Sequence, residues 1–460
     1  MRGNTWSAIV ALLPLATAQQ TLWGQCGGTD WGGPTSCVDG ASCYTVNPWY
    51  AQCTPGVATS TTSSTTTSSS STGTTLTTTT SSGTATTTTR TSTVTATATD
   101  NPFSGHQLYV NPYYSSEVHT LAIPSLTGTL SSLRAAATAA ADAPSFVWLD
   151  VAAKVPQMAE YLEDIRSKNS AGASPPIAGQ FVVYDLPDRD CAALASNGEY
   201  AIDRDGVQLY KAYIDSIREI ILEYSDVRTL LVIEPDSLAN LVTNLNVPKC
   251  ANAQDAYLEC TNYAVTQLNL PNVAMYLDAG HAGWLGWTAN LQPAADLYAK
   301  VYTDASSPAA LRGLATNVAN YNAWTIGTCP SYTQGNTVCD EKRYVNAIAP
   351  LLRSNGFDAH FITDTGRSGR QPTGQSAWGD WCNVINTGFG QRPTTNTGDA
   401  LVDAFVWIKP GGESDGTSDS SATRYDAHCG YSDALQPAPE AGTWFQAYFE
   451  QLLKNANPAL

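Results

Sequence analysis

Residues 101–460 predict an α/β fold on a parallel sheet, closed as a distorted, seven-stranded TIM-like barrel. Three observations carry that expectation. Seven short apolar runs recur: Phe146–Leu149, Gln180–Tyr184, Leu230–Ile233, Val273–Leu277, Leu314–Val318, His360–Thr363 and Ala404–Ile408. Segments of helical period separate them, as in Gly206–Tyr224, where Leu209, Tyr213, Ile217, Ile220 and Ile221 fall on one side. Each run ends in polar residues capable of chemistry. Strands alternating with helices imply right-handed crossovers, and seven runs in place of eight imply an imperfect barrel.

Ahead of that domain the chain divides into three. Residues 1–18 carry Arg2, the apolar stretch Ala8–Leu15 and the small-residue site Ala16-Thr17-Ala18. That is the pattern of a secretory signal peptide, so the mature protein is expected to be secreted and extracellular. Eleven cysteines fit an oxidising compartment. Residues 20–53 hold Trp23-Gly-Gln-Cys-Gly-Gly28, Cys37, Cys43 and Asn47-Pro-Trp-Tyr-Ala-Gln-Cys53. Four cysteines in so short a segment read as a two-disulfide staple with three possible pairings. Trp23, Trp31, Trp49 and Tyr50 are too many for so small a core to hide, which leaves an apolar binding face. Residues 54–100 are almost entirely Thr and Ser. Such a tract buries too little to offset its ordering entropy and reads as an O-glycosylated linker.

A net charge of −17 argues against nucleic acid or an anionic membrane as partner. Beyond the signal segment no apolar stretch is long enough to span a bilayer. Twelve Trp and 22 Tyr among few charges suit a neutral, stackable ligand such as a sugar. The five His form no metal-ligand spacing, so neither metal nor cofactor is expected. There is no Asn-x-Ser/Thr sequon.

The most informative ending follows Leu230–Ile233. Pro235 cannot donate to a ladder, so the strand stops and Asp236 is delivered to its carboxyl end, where barrel enzymes gather catalytic groups. Capping of a following helix by Asp236 is the plain alternative. The other endings are Asp150, Asp185 through Asp190, Asp278 with His281, Asn317 with Asn320, Asp364 with Arg367, and Lys409 with Glu413 and Asp415. Together they make a carboxylate-rich cleft with Trp148, Trp284, Trp287 and Trp381 nearby. Carboxylates beside aromatic platforms are what hydrolysis of a glycosidic bond requires.

Residues 20–53 resemble the fungal-type family 1 cellulose-binding module over its whole length. The resemblance implies Cys26–Cys43 and Cys37–Cys53 pairing, with Trp23, Trp49 and Tyr50 on one flat face for crystalline cellulose. Tyr50→Ala is expected to weaken adsorption to microcrystalline cellulose, and unchanged adsorption would contradict the assignment. Four motifs resemble glycoside hydrolase family 6: Val182-Val-Tyr-Asp-Leu-Pro-Asp-Arg-Asp-Cys191, Ile233-Glu-Pro-Asp-Ser-Leu-Ala-Asn240, Tyr276-Leu-Asp-Ala-Gly-His-Ala-Gly-Trp-Leu-Gly-Trp287 and Trp407-Ile-Lys-Pro-Gly-Gly-Glu413.

That second resemblance implies an inverting hydrolase of β-1,4-glucan. Asp236 would be the general acid, kept protonated by Asp190, and Tyr184 would lie beneath the distorted sugar. The base would be either Asp415 or a water chain through Ser196 and Asp190. Trp148 and Trp381 would hold sugars on the non-reducing side, and Trp284 and Trp287 the leaving group. Asp278, Lys409 and Glu413 would contact hydroxyls; Asn320 and His281 complete the polar lining, His281 reading as structural. Cys191–Cys250 and Cys382–Cys429 would fasten two long loops, 185–200 and 411–432, favouring a tunnel and processive release of cellobiose from non-reducing ends. By spacing, Cys329 and Cys339 suit a further bridge, leaving Cys260 as a buried thiol. The expected partners are cellulose and soluble cello-oligosaccharides, met by a monomer. An endoglucanase of the same fold and a non-catalytic cellulose-binding protein are the rival readings.

Overall fold

The computed structural model describes residues 19–20, 25–27, 32–38, 41–47, 50–55 and 101–460. The signal segment, nearly all of the linker, and Trp23, Trp31 and Trp49 lie outside the described residues, as does the side chain of Tyr50. The chain divides into two compact units, within residues 1–91 and 92–460.

In the first unit, β1 (Gln25–Gly27), β2 (Ala41–Asn47) and β3 (Tyr50–Pro55) form an antiparallel sheet with β3 central. Disulfides join Cys26 to Cys43 and Cys37 to Cys53, and Cys26 and Cys53 are buried. With so little apolar core, the bridges supply much of the stability.

The second unit is built on parallel strands: β4 (Gln107–Leu108), β5 (Val147–Leu149), β6 (Ile177–Val183), β7 (Thr229–Ile233), β8 (Val273–Asp278), β9 (Leu311–Thr316), β10 (His360–Asp364) and β11 (Val402–Val406). From β6 to β11 each strand pairs with the next in sequence. Both β4 and β5 pair with the other edge of β6, β4 at Ile177–Ala178 and β5 at Phe181–Val183. All seven apolar runs contain or overlap a strand, although β9 starts at Leu311 and ends before Val318, and β11 ends before Trp407 and Ile408. The two-residue β4 is too short to leave a periodic signal.

The barrel is curled but not closed by a ladder. Across the gap between β5 and β11, Phe146 N–H donates to Trp407 O (2.9 Å) and Trp148 Nε1–H to Ile408 O (2.8 Å). Alternation sorts the strand residues. Val182, Leu230, Val232, Tyr276, Ile362 and Val406 form the interior core. Phe181, Val183, Leu231, Ile233, Met275, Leu277 and Phe361 meet the helices outside. Gly313 in β9 leaves no room for a side chain against β10, since a Cβ there would lie 1.7 Å from His360 O. At the barrel's lower end Asp403 accepts from Tyr276 Oη (2.8 Å) and Arg312 Nε (2.9 Å), tying β11 to β8 and β9.

One expected helix face is corrected. Helix Gly206–Glu223 buries Tyr210, Tyr213, Ile214, Ile217 and Ile221, whereas Leu209 is 45% exposed. A tyrosine at 210 carries enough apolar area to displace leucine from the inward stripe. Among the described residues no helix is long and apolar enough to cross a membrane.

Candidate active site

Asp236 stands just past the carboxyl end of β7, ahead of helix Ser237–Thr243. Glu234 and Asp236 both have left-handed backbone, φ +51° and +65°, on either side of Pro235. Non-glycine residues held there cost about 1–3 kcal/mol each, a strain that the surrounding structure must impose. Glu234 shows how: its buried carboxylate accepts from Asp185 N (3.2 Å) and Leu186 N (3.4 Å), clamping the end of β7 to the segment after β6.

Asp236 occupies the N-cap position of its helix, yet its side chain makes no capping hydrogen bond. A simple cap would aim its carboxylate at the N2 or N3 amide. Burial pushes this carboxyl well above the usual range, and the neighbouring charges of Asp278 and then Asp190 push it further. Asp278, at the end of β8, accepts the backbone N–H of Asp236 (2.8 Å) and of Gly280 (3.2 Å). Burial raises Asp278 to about 7 despite those bonds. From the motifs alone, Asp278 is expected among the sugar contacts and Asp190 as the keeper of the Asp236 proton. In the structure Asp278 is only 2% exposed, buried behind Asp236, and is the stronger of the two influences on it.

Asp190 also has left-handed backbone, φ +59°. Its Oδ2 accepts Ser196 N–H (2.8 Å), folding loop 185–200 back on itself. Burial raises its carboxyl, opposed by that bond and by Lys249. A salt bridge from Asp190 to adjacent Arg189 does not form. Arg189 pairs instead with Asp185 (3.2 Å), donates to Asp150 O (2.6 Å) and to Tyr184 O, and lies 4.3 Å from the Tyr184 ring centre. The Cys191–Cys250 disulfide pins this loop to helix Pro248–Gln267, where Lys249 Nζ donates to Asn197 Oδ1 (2.7 Å). Tyr184 is buried, its ring edge-on to Trp148 at 5.3 Å.

Asp415 comes from the segment after β11 and is held on several sides. Arg367 Nη1 donates to both its oxygens (2.9 and 2.8 Å), and Tyr321 Oη (2.8 Å) and Asn383 N (2.8 Å) donate to Oδ2. Arg367 is itself 1% exposed, so its charge has little access to water. Tyr321 and Asn383 are absent from the sequence-derived site. Of the three donors only Arg367 gives a signal there, as part of the ending of β10.

The four tryptophans are half-buried, with three indole N–H groups satisfied: Trp148 on Ile408 O, Trp284 on Thr243 Oγ1 (2.7 Å) and Trp287 on Gly283 O (2.8 Å). Trp381 adjoins Cys382, which is bridged to Cys429. Lys409 lies 3.7 Å from Glu413, both largely buried. His281 is buried between Asn320 (3.1 Å) and Asn322 (3.2 Å), and burial lowers it to about 4. Both of its ring nitrogens thus face side-chain amides. Cys329 is bridged to Cys339, and burial pushes the free Cys260 thiol up to about 12.

These carboxyls set a pH dependence of stability. Burial raises Asp185 to about 9, Glu117 to about 8 and Glu234 to about 7. The native state therefore keeps protons that the unfolded chain has released above about pH 4. Stability is fully present below the unfolded values and is lost as pH rises through the raised ones, at about 1.4 kcal/mol per pH unit for each such group. Tm is expected to fall between pH 5 and 9 in scanning calorimetry, and a rising Tm would contradict these assignments.

Comparison with known proteins places this geometry. Residues 103–456 match the model for "Glycosyl hydrolases family 6", and residues 22–50 that for "Fungal cellulose binding domain". The chain is 79% identical over 452 residues to "1,4-beta-D-glucan cellobiohydrolase C" of Emericella nidulans, covering 98% of each chain. It is 66% identical over 464 residues to "Exoglucanase 2" of Hypocrea jecorina, covering 99% of this chain and 98% of that one. The structure is similar to cellobiohydrolase II (Cel6A) of Humicola insolens in complex with glucose and cellotetraose. The TM-score is 0.77 at 64% identity, over 78% of this chain and all of that one (100%).

Proposed function

The chain belongs to glycosyl hydrolase family 6, and we propose that it is a secreted, monomeric cellobiohydrolase cutting β-1,4-glucan with inversion. Cellobiose leaves processively from non-reducing chain ends. The observation that carries this reading is Asp236: a half-buried carboxyl at a strand end, its pKa raised by desolvation and by the neighbouring carboxylates of Asp278 and Asp190, with no capping duty. Such a group is ready to give its proton to the glycosidic oxygen as the bond breaks.

Water then attacks the opposite face of the sugar. Asp415 is poorly placed to take the proton of that water, because both its oxygens already accept from Arg367 and Oδ2 accepts from Tyr321 and Asn383 as well. Asp190, its carboxyl raised by burial, is the better acceptor, through a chain of water beside Ser196. Tyr184 lies beneath the reacting sugar. Trp148 and Trp381 hold the chain on one side, and Trp284 and Trp287 the leaving sugars on the other. Lys409, Glu413 and Asn320 serve hydroxyls. The exo reading is supported by contact between the two loops, since Leu194 N–H donates to Asp426 Oδ2 (3.2 Å) and Arg424 Nε to Ala195 O (2.9 Å). The N-terminal module, by Trp23, Trp49 and Tyr50, adsorbs the enzyme to cellulose, and the linker tethers it there. On microcrystalline cellulose, cellobiose is the expected main product, with slow loss of carboxymethylcellulose viscosity. Rapid loss of viscosity would favour an endoglucanase.

A further inference from the structure

The loop contact contains a titratable group outside the reaction so far described. The Cys382–Cys429 bridge, with Cα atoms 5.0 Å apart, makes neighbours of the residues that precede each cysteine, Trp381 and His428. Their ring centres lie 5.5 Å apart at 35°. Asp426 caps the turn Ala427–Gly430, its Oδ1 accepting His428 N (3.0 Å) and pairing with His428 Nδ1 (2.7 Å). Its Oδ2 accepts Leu194 N–H from the opposite loop, two residues before the Ser196 amide that binds Asp190. One carboxylate thus joins a sugar platform, through His428, to the loop that carries Asp190, the proposed proton acceptor.

We propose that His428 is a positioning residue. Its charged form holds Asp426 in place for Leu194 and clamps the Trp381 ring, so that loss of that charge loosens the loop contact and the platform together. The inference rests on the reading of Trp381 as a sugar platform under joined loops.

The surroundings favour the charged form. The groups facing His428 are Asp426 on its own turn, Asp380 beside Trp381, and Asp433, with the Tyr431 ring 5.1 Å away. The hydrogen bond to Asp426, against partial burial, lifts the imidazole above its ordinary value. The ion pair is therefore complete below about pH 6.5 and fades as pH rises through that lifted value. An imidazolium beside an indole also gains cation–π attraction, which the neutral ring lacks.

The test compares wild type with His428→Gln, which keeps an N–H donor on a half-exposed side chain but cannot be charged. Soluble and insoluble reducing ends from microcrystalline cellulose are measured from pH 4 to 8, with KM and kcat on cellotetraose. The wild-type soluble-to-insoluble ratio is expected to fall about threefold across the titration of His428, the scale of one partly exposed ion pair. His428→Gln should give the low ratio at every pH, with KM raised about threefold at pH 5 and kcat little changed. Asp426→Asn, which also removes the pair, should show the same flat profile. A pH step in His428→Gln equal to that of wild type would overturn the proposal, as would an unchanged KM. A wild type that releases no cellobiose in the same assay would instead overturn the functional reading, and this one with it.

Discussion

Replacing Asp236 with Asn is expected to lower kcat on cellotetraose about 10³-fold, within the usual span for loss of a general acid. The amide has the same shape but no proton to give. Because the native carboxyl is already held neutral by burial beside Asp278 and Asp190, the change removes no charge from the folded state. Tm at pH 5 should therefore stay within a few degrees of wild type, and adsorption to cellulose should be unchanged. The deficit should shrink on aryl cellobiosides whose leaving group is acidic enough to depart without protonation. Turnover of cellotetraose within tenfold of wild type would remove Asp236 from the role of acid.

The second large effect is expected at Asp415, and mainly on stability. Asp415→Ala leaves the Arg367 guanidinium, 1% exposed, without its carboxylate. Breaking a buried pair from one side costs about 3–5 kcal/mol. It also leaves Asn383 N, next to the Cys382 bridge, without its acceptor, while Tyr321 Oη keeps its bond to Trp381 O (2.6 Å). A fall in Tm of several degrees should accompany any loss of turnover. Azide, a small anion able to attack in place of activated water, should not restore activity, because the groups that activate water remain. Restoration by azide with an unchanged Tm would instead make Asp415 the direct base.

What the sequence revealed and what it hid follow from the range of the forces involved. Pro235 stops β7 by lacking a donor, so the position of Asp236 at a strand end could be read locally. The alternation of Val182, Leu230 and Val232 with Phe181 and Leu231 likewise follows from strand period. The clamp on Asp415 could not be read, since Arg367 and Tyr321 lie 48 and 94 residues away and meet it only after the barrel curls. Asp278 looked like one more polar ending. Its influence on Asp236 depends on β7 and β8 being neighbours and on the left-handed turn that points the Asp236 amide at it. Leu209 was misplaced for a related reason: which of two adjacent apolar residues turns inward depends on what it meets.

The most direct test is proton NMR of the products released from cellohexaose in the first minutes, before mutarotation blurs them. Inversion with Asp236 as acid and water attacking the opposite face predicts that the newly formed reducing end appears first as the α-anomer. Early β-anomer would mean retention through a covalent intermediate and would contradict the assignment of an acid and an activated water on opposite faces of the sugar.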